Sequence, residues 1–141
     1  MKKILFLIVL ILIVNVTSFA QSEPENNLRK SLYELKADFP NLIYWTEYGG
    51  VSMYKSDNIL FELKNNIVIA EFMSVKDDKN NGFPYYWYQS LLEAFNKTKY
   101  IHCIKGKDSN IIYFYSYFTI SISYDKIDGS ASISYELSDR R

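Results

Sequence analysis

Two stretches of the chain carry apolar residues at the spacing of an amphipathic helix, one near the start and one in the middle. Asn26 or Asn27 can begin the first helix, and Pro40 ends it. Its apolar positions are Leu28, Leu32, Leu35 and Phe39. Pro84 suits the first turn of the second helix, where a missing N–H does no harm. The buried stripe of that helix is Tyr88, Leu91, Leu92 and Phe95.

Alternating and β-branched segments predict strands after each helix. The dipeptide Asn65-Asn66 tolerates the positive φ of a tight hairpin turn, and it separates residues 59–64 from residues 67–75. The inward row of the first arm is Ile59, Phe61 and Leu63. The second arm is more continuously apolar, so we expect it near the centre of the sheet.

Residues 111–124 alternate along their whole length and predict one long strand. One face of this strand is apolar and carries Ile112, Phe114, Phe118, Ile120 and Ile122. The other face is more polar and carries Tyr113, Tyr115, Tyr117, Thr119 and Ser121. Asp128-Gly129 then closes a hairpin to the last strand.

The order helix, strands, helix, strands predicts an α+β fold, a two-layer sandwich with two helices packed on an antiparallel meander sheet. Each half has a helix, a short strand, a turn and longer hairpin strands, an order consistent with a duplicated helix-plus-strands unit. With 48% hydrophobic and 17% aromatic residues, the chain can form one sizeable core. We therefore expect a single domain over residues 27–141, preceded by a flexible segment, residues 21–26.

The first twenty residues have the parts of a secretory signal peptide. Lys2 and Lys3 precede an apolar run, residues 4–14, and Ser18-Phe19-Ala20 places cleavage before Gln21. The alternative is a membrane anchor, but the apolar run is shorter than the roughly 20 residues that span a bilayer. The sequence therefore predicts an exported protein, periplasmic or secreted, without a stable membrane span after cleavage.

Charge and cysteine content narrow the classes of partner and the source of stability. The chain has 16 Lys+Arg and 16 Asp+Glu residues, and loss of Lys2 and Lys3 with the signal leaves 14 against 16. Without a basic run, the chain is not expected to bind nucleic acid, which requires clustered cations. Cys103 is the only cysteine, so no internal disulfide can form and burial must stabilise the fold.

No residue pattern carries a catalytic, metal-binding or cofactor signature. His102 and Cys103 are the only histidine and the only cysteine. Neighbours on a strand point to opposite faces, so we do not expect these two to form a nucleophilic pair. One histidine and one cysteine are also too few for an ordinary zinc site.

The carboxylate residues also give no clear indication of a metal site or a catalytic site. The loop over residues 77–82 resembles a calcium loop only superficially, because its third position is Lys79 and its twelfth is Tyr88, where oxygen ligands are needed. A carboxylate pair for glycoside hydrolysis stays open on composition alone. The strand carboxylates available for it are Glu47, Glu62 and Glu71.

The tyrosines on the polar face of the long strand are the best candidate for a functional surface. Stacked tyrosines offer the flat, amphipathic area that is enriched at binding surfaces. Two other interpretations stay open: cross-strand packing in an exposed sheet without any ligand, or burial beneath a loop or a dimer partner. The candidate binding residues are Tyr113, Tyr115, Tyr117, Thr119 and Ser121.

The tandem order of helix and meander resembles the β-lactamase-inhibitor-protein type of fold, in which a concave sheet face binds a partner. The resemblance covers layout only, and the two disulfides that stabilise that inhibitor have no counterpart here. Three segments also resemble a family of small exported bacterial proteins of unknown function, which implies no activity. These segments are Asn81-Gly82-Phe83-Pro84-Tyr85-Tyr86-Trp87, Tyr115-Ser116-Tyr117-Phe118-Thr119 and Ala131-Ser132-Ile133-Ser134-Tyr135-Glu136-Leu137.

The leading functional hypothesis is a non-enzymatic exported binding module, without a cofactor, that contacts a protein, peptide or glycan through the tyrosine face. The alternative is a structural or self-associating envelope protein that forms a homodimer through the same face. A small hydrolase is the third hypothesis, and it requires polar or charged side chains that converge in a pocket.

Overall fold

The computed structural model describes Pro24, residues 26–77 and residues 81–139. The predicted signal peptide and most of the segment 21–26 lie outside these residues. Within these residues the two helices are α1, Leu32–Asp38, and α2, Phe83–Asn96. The eight strands are β1 Ile43–Tyr48, β2 Val51–Ser56, β3 Ile59–Lys64, β4 Ile67–Lys76, β5 His102–Lys105, β6 Ile111–Phe114, β7 Phe118–Asp125 and β8 Ser130–Leu137.

All eight strands form one antiparallel sheet in the order β1-β2-β3-β4-β8-β7-β6-β5. Each half of the chain contributes one helix followed by a four-stranded meander, as expected for a duplicated helix-plus-strands unit. The last strands of the two halves, β4 and β8, pair at the centre. The predicted α+β class and the central position of β4 are therefore confirmed.

Both helices pack on the same side of the sheet, which we call the helix side. One cluster of buried side chains joins Leu35 of α1 and Tyr88 and Phe95 of α2 to the sheet. Its sheet and turn members include Phe61, Leu63, Val68, Tyr113, Tyr115, Phe118, Ile120, Ile122, Ala131 and Ile133. The predicted stripe of α2 is confirmed, because Leu91 and Leu92 also pack against this cluster. Neither helix covers the opposite side of the sheet, which we call the open face.

Helix α1 begins later than the apolar spacing indicated, and neither Asn26 nor Asn27 caps it. Ser31 is the N-cap: its hydroxyl accepts a hydrogen bond from the Glu34 N–H, and the Glu34 carboxylate accepts one from the Ser31 N–H. Leu28 is buried, but it lies in a turn before the helix. The Ser-x-x-Glu pattern is the sequence signature of the observed start.

Tight turns close the hairpins of the first half. Asn65 and Asn66 have φ values of 53° and 62°, which confirms the predicted hairpin between β3 and β4. Gly49 and Gly50, with φ values of 59° and 77°, connect β1 to β2 in the same way. Two successive residues with positive φ match the right-handed twist of the flanking strands.

The prediction of one strand over residues 111–124 is wrong. The N–H of Tyr115 donates to the carbonyl of Phe118 at 2.9 Å and closes a reversal between β6 and β7. The chain therefore folds back on itself, and Tyr113 pairs with Ile120 across the ladder, on the helix side. Side chains alternate within β6 and within β7 as predicted. The reversal, however, places Tyr113 on the same face as Ile120, and Phe114 on the same face as Thr119.

Candidate binding surface

Side chains on the open face form rows that cross all eight strands. Residues opposite one another in the register point to the same face, so a row can be followed from β1 to β5. The first row, in sheet order, is Ile43, Lys55, Leu60, Phe72, Ser134, Ser121, Ile112 and Ile104. The second row is Thr46, Met53, Glu62, Ala70, Glu136, Thr119, Phe114 and His102.

The first row has apolar residues toward both ends and hydroxyl groups at its centre. Phe72 is 42% exposed and Ile104 is 50% exposed, although both are large and hydrophobic. Ser134 and Ser121 lie between the two apolar parts. Neighbouring strands are about 4.8 Å apart, so Phe72 and Ile112 are separated by about 14 Å. A partner can thus place apolar groups at two separated positions and hydrogen-bonding groups between them.

The hydroxyl groups of the central strands bond to one another and to a loop. The hydroxyl oxygens of Ser123 and Ser132 are 2.7 Å apart across the β7–β8 ladder. The Ser121 hydroxyl donates to the side-chain oxygen of Asn110 at 3.1 Å. These bonds order the central side chains while the apolar groups on either side stay accessible.

The β1 end of the open face holds a shallow groove of about 300 Å³. Its lining includes Trp45, Lys55, Leu60 and Phe72. The Lys55 ammonium nitrogen lies 6.0 Å from the centre of the Trp45 ring, at the outer limit of a cation–π contact. This end therefore combines the exposed indole with one positive charge.

The β5 end of the open face carries a stacked aromatic pair. The imidazole of His102 lies over the ring of Phe114, with centroids 4.1 Å apart and an interplanar angle of 9°. His102 itself is exposed, whereas Phe114 is half-buried beneath it. The two ends thus offer different groups to a partner, an indole with an ammonium at one and an imidazole at the other.

Only two of the five predicted site residues lie on this surface. Thr119 and Ser121 are on the open face, in the second and first rows. Tyr113 and Tyr115 are buried on the helix side, so the prediction that the tyrosines form one exposed face is wrong. Tyr117 is half-buried in the reversal, with the Arg29 guanidinium carbon 4.3 Å from its ring centre. The chain reverses after Phe114, and this reversal is the reason why Tyr113 and Tyr115 lie on the opposite side of the sheet from Thr119 and Ser121.

The hydroxyl groups of the buried tyrosines have hydrogen-bond partners within the protein. The Tyr113 hydroxyl donates to the Asn96 side-chain oxygen at 2.9 Å, and the Tyr115 hydroxyl shares a hydrogen bond with Thr98. Burial is the main cause that raises the pKa of Tyr113 to about 12. None of the three interpretations describes Tyr113 and Tyr115 fully, because they belong to the core on the helix side, where α2 and the residues after it cover them.

The sequence-derived catalytic candidates are not brought together. His102 faces Phe114 on the open face, whereas Cys103 faces Tyr113 on the helix side. Glu62 points to the open face, whereas Glu47 and Glu71 point to the helix side, where three strand spacings, about 14 Å, separate β1 from β4. The carboxylates of a glycosidase pair are at most about 9.5 Å apart. Among the described residues, no group of three or more His, Cys, Asp or Glu side chains is arranged to hold a metal ion.

A second, polar cleft of about 500 Å³ lies on the helix side, next to the start of α1. Asn27, Lys30, Glu71 and Tyr117 are among the residues that line it. The Glu71 carboxylate accepts a hydrogen bond from the Asn27 N–H at 3.1 Å. Burial has the largest effect on the pKa of Glu71 and raises it. The hydrogen bonds from Asn27 and the charge of Lys30 lower this pKa, but by less.

We expect Glu71→Gln to stabilise the protein at pH 7. A pKa that is higher in the folded than in the unfolded chain favours the protonated folded state. The wild-type free energy of unfolding should therefore fall as the pH rises from the ordinary glutamate pKa through the raised value. Glutamine does not ionise, so it removes this loss of stability, and its side-chain oxygen still accepts a hydrogen bond from Asn27. Urea unfolding at several pH values should show the two proteins converging below about pH 4, where glutamate is protonated.

The exposed Glu47→Gln is the control for this prediction, because Glu47 lies on the edge strand β1 and is not buried. Its stability should follow that of the wild type at every pH. A Glu71→Gln protein less stable than the wild type at pH 7 would show that the ionised carboxylate stabilises the cleft.

Sequence reasoning missed the aromatic members of the open face, Trp45, Phe72, Phe114 and His102. Phe114 and Ile112 share a face, as predicted. The prediction placed them with Phe118 and Ile120, whereas in the structure they lie beside Thr119 and Ser121. For Phe72 the continuous apolar run in β4 concealed which side chains point away from the core. The available signal was the strict alternation of β8, whose serines mark the open face at the sheet centre.

Comparison with protein-family models, with curated proteins and with solved structures found no match to this chain. Neither α1 nor α2 has the length and hydrophobicity that a membrane-crossing helix requires. The open face and the helix-side cleft are therefore interpreted from their own geometry.

Proposed function

We propose that this chain is an exported, non-enzymatic binding module that contacts a protein partner through its open face. The observation that supports the proposal is the first row, in which accessible apolar side chains stand on both sides of a pair of serines. The centres of protein interfaces are typically rich in aromatic residues and poor in charge. Lys55 is the one charged member of this row.

The dimensions of the surface favour a macromolecule over a small ligand. The row extends across eight strands, about 34 Å at the usual strand spacing. The groove beside Trp45 occupies one end of it. Small-molecule sites are normally concave and enclose most of the ligand. A protein surface can instead contact Phe72 and the β5–β6 end at the same time.

The non-enzymatic part of the proposal rests on the placement of the reactive side chains. His102 and Cys103 point to opposite sides of the sheet, and Glu62 and Glu71 do the same. Nucleophilic and acid–base catalysis both require groups within hydrogen-bond reach of one another or of one substrate atom. These residues do not meet that requirement.

Site-specific photo-crosslinking in cells tests the proposal. A photoreactive phenylalanine analogue at position 72, and separately at position 114, should crosslink the same protein. The matched control is the analogue at Gln89, which is exposed on α2, on the helix side. We expect that protein to be absent from the Gln89 sample, because α2 is on the other side of the sheet.

The crosslinked product also tests export. If the signal is removed as predicted, N-terminal sequencing of the product should begin at Gln21. A product that keeps Met1 would contradict export with cleavage. Equal crosslinking from all three positions, or crosslinking from Gln89 alone, would contradict binding through the open face.

A further inference from the structure

The two edges of the sheet differ in how well they are protected against another strand. The outer edge of β1 pairs with no other strand in the part of the chain that the structure describes. All six residues of β1 are exposed, and Tyr48 is 82% exposed. The exposed hydrophobic side chains on this strand are Ile43, Tyr44, Trp45 and Tyr48. The strand contains neither lysine nor proline, two of the features that commonly block edge pairing, although it carries a β-bulge at Trp45 and one charged residue, Glu47.

The opposite edge has two kinds of protection that β1 lacks. β5 has four residues, and its last one is Lys105. Lys107 follows in the adjoining loop. Short strands and lysine side chains are the usual means by which edge strands avoid pairing with other molecules. The contrast within one sheet makes β1, despite its bulge, the edge that is more open to a further strand.

The chemistry of the edge determines what kind of group can cover it. An edge strand presents backbone N–H and C=O groups at the spacing of a β-strand, and another strand matches that spacing. The side chains of β1 add apolar and aromatic area above and below these groups. The occupant must therefore be an extended segment that is itself apolar and carries little charge.

We propose that this occupant is the β1 strand of a second copy of the chain, paired antiparallel about a two-fold axis. In full register Ile43 lies opposite Tyr48 of the partner subunit, Tyr44 opposite Glu47 of the partner subunit, and Trp45 opposite Thr46 of the partner subunit. The strand itself thus meets the requirement for an apolar, nearly uncharged segment.

The position of the single charge supports the antiparallel direction. Glu47 is the only charged residue of β1. A two-fold axis places the two Glu47 residues about 10 Å apart along the strands, near the screening length at physiological salt. Parallel pairing in register would place them side by side, at about 4.8 Å between strands, and like charges in that position are destabilising.

The two-fold arrangement also ends the assembly at two copies. Each copy uses its β1 edge, and the edges that remain are the short β5 strands. An isologous contact of this kind is closed, so it does not propagate into a fibre. The two open faces become one surface, with the Trp45 groove of each copy next to the junction.

The mass in solution tests the proposal. A chain of residues 21–141 contains every described helix and strand, and its mass in sedimentation should rise from that of the monomer to that of the dimer as its concentration is raised to about 100 μM. Thr46→Lys adds a lysine to the β1 edge at an exposed position, and it should return the chain to monomer mass. The matched control is Ile104→Lys, the same kind of change on the exposed face of β5, which should leave the dimer intact.

Each other outcome overturns the proposal. A wild-type monomer throughout the concentration range, a series of larger masses, or a dimer that survives Thr46→Lys would each exclude closed pairing through β1. Hydrogen exchange provides a second measurement that needs no variant. Amides of β1 should become more protected as the concentration rises, while those of β5 should not, and equal changes at both edges would overturn the assignment.

Discussion

Phe118→Ala should lower the free energy of unfolding by about 3–5 kcal/mol, the usual cost of removing a buried aromatic ring. Phe118 is 0% exposed at the start of β7. Its ring stacks on Tyr115, with centroids 4.6 Å apart, and contacts Tyr117 at 4.8 Å. Alanine would leave a cavity beside both rings of the reversal. Urea unfolding followed by circular dichroism measures the loss, provided that the transition is two-state.

Phe114→Ala is the matched control, because it makes the same chemical change four residues earlier on the other face of the sheet. Phe114 is half-buried and contacts His102 on the open face. We expect its loss to cost about 1 kcal/mol or less, as for most substitutions outside the core. A continuous strand would place both phenylalanines on one face. Equal costs for the two variants would therefore contradict the reversal at Ser116-Tyr117.

Those elements that depend on local chemistry could be predicted from the sequence. The stripe of α2 follows from helical spacing, and the β3–β4 turn follows from Asn65-Asn66, since asparagine tolerates positive φ. The reversal between β6 and β7 has only a weak signal of this kind, Ser116. Its two central residues are Ser116 and Tyr117, without glycine, proline, asparagine or aspartate, and the alternation continues through them in the printed sequence.

The candidate surface was harder to predict than the fold because it depends on the register between distant strands. Alternation within a strand shows which of its residues share a face, but it does not show which residues of the neighbouring strand lie beside them. Leu60 and Phe72 are brought together by one hairpin, and Phe72 meets Ser134 only because β4 pairs with β8. Sixty-two positions separate those two residues in the sequence. Pairing of the two halves is a property of the whole core and is not encoded in either segment.

Tyr113→Ala should also cost about 3–5 kcal/mol, because a ring is removed from the core together with a hydrogen bond. Tyr113 is fully buried, its ring contacts Phe95 and Tyr100, and its hydroxyl donates to Asn96. Tyr113→Phe keeps the ring and loses only the hydroxyl, so we expect it to cost about 1 kcal/mol. The ordering of the two variants in urea unfolding separates the contribution of packing from that of the hydrogen bond.

Tyr33→Ala is the control, since Tyr33 lies on α1 with 85% of its surface exposed, and its loss should change stability by no more than about 0.5 kcal/mol. The comparison decides how any binding defect of a tyrosine variant is interpreted. If Tyr113→Ala is strongly destabilised, loss of a partner follows from unfolding, and only open-face variants such as Phe72→Ser can locate the contact. A Tyr113→Ala protein as stable as the Tyr33 control that nevertheless fails to bind would place the tyrosine at the interface and contradict its burial.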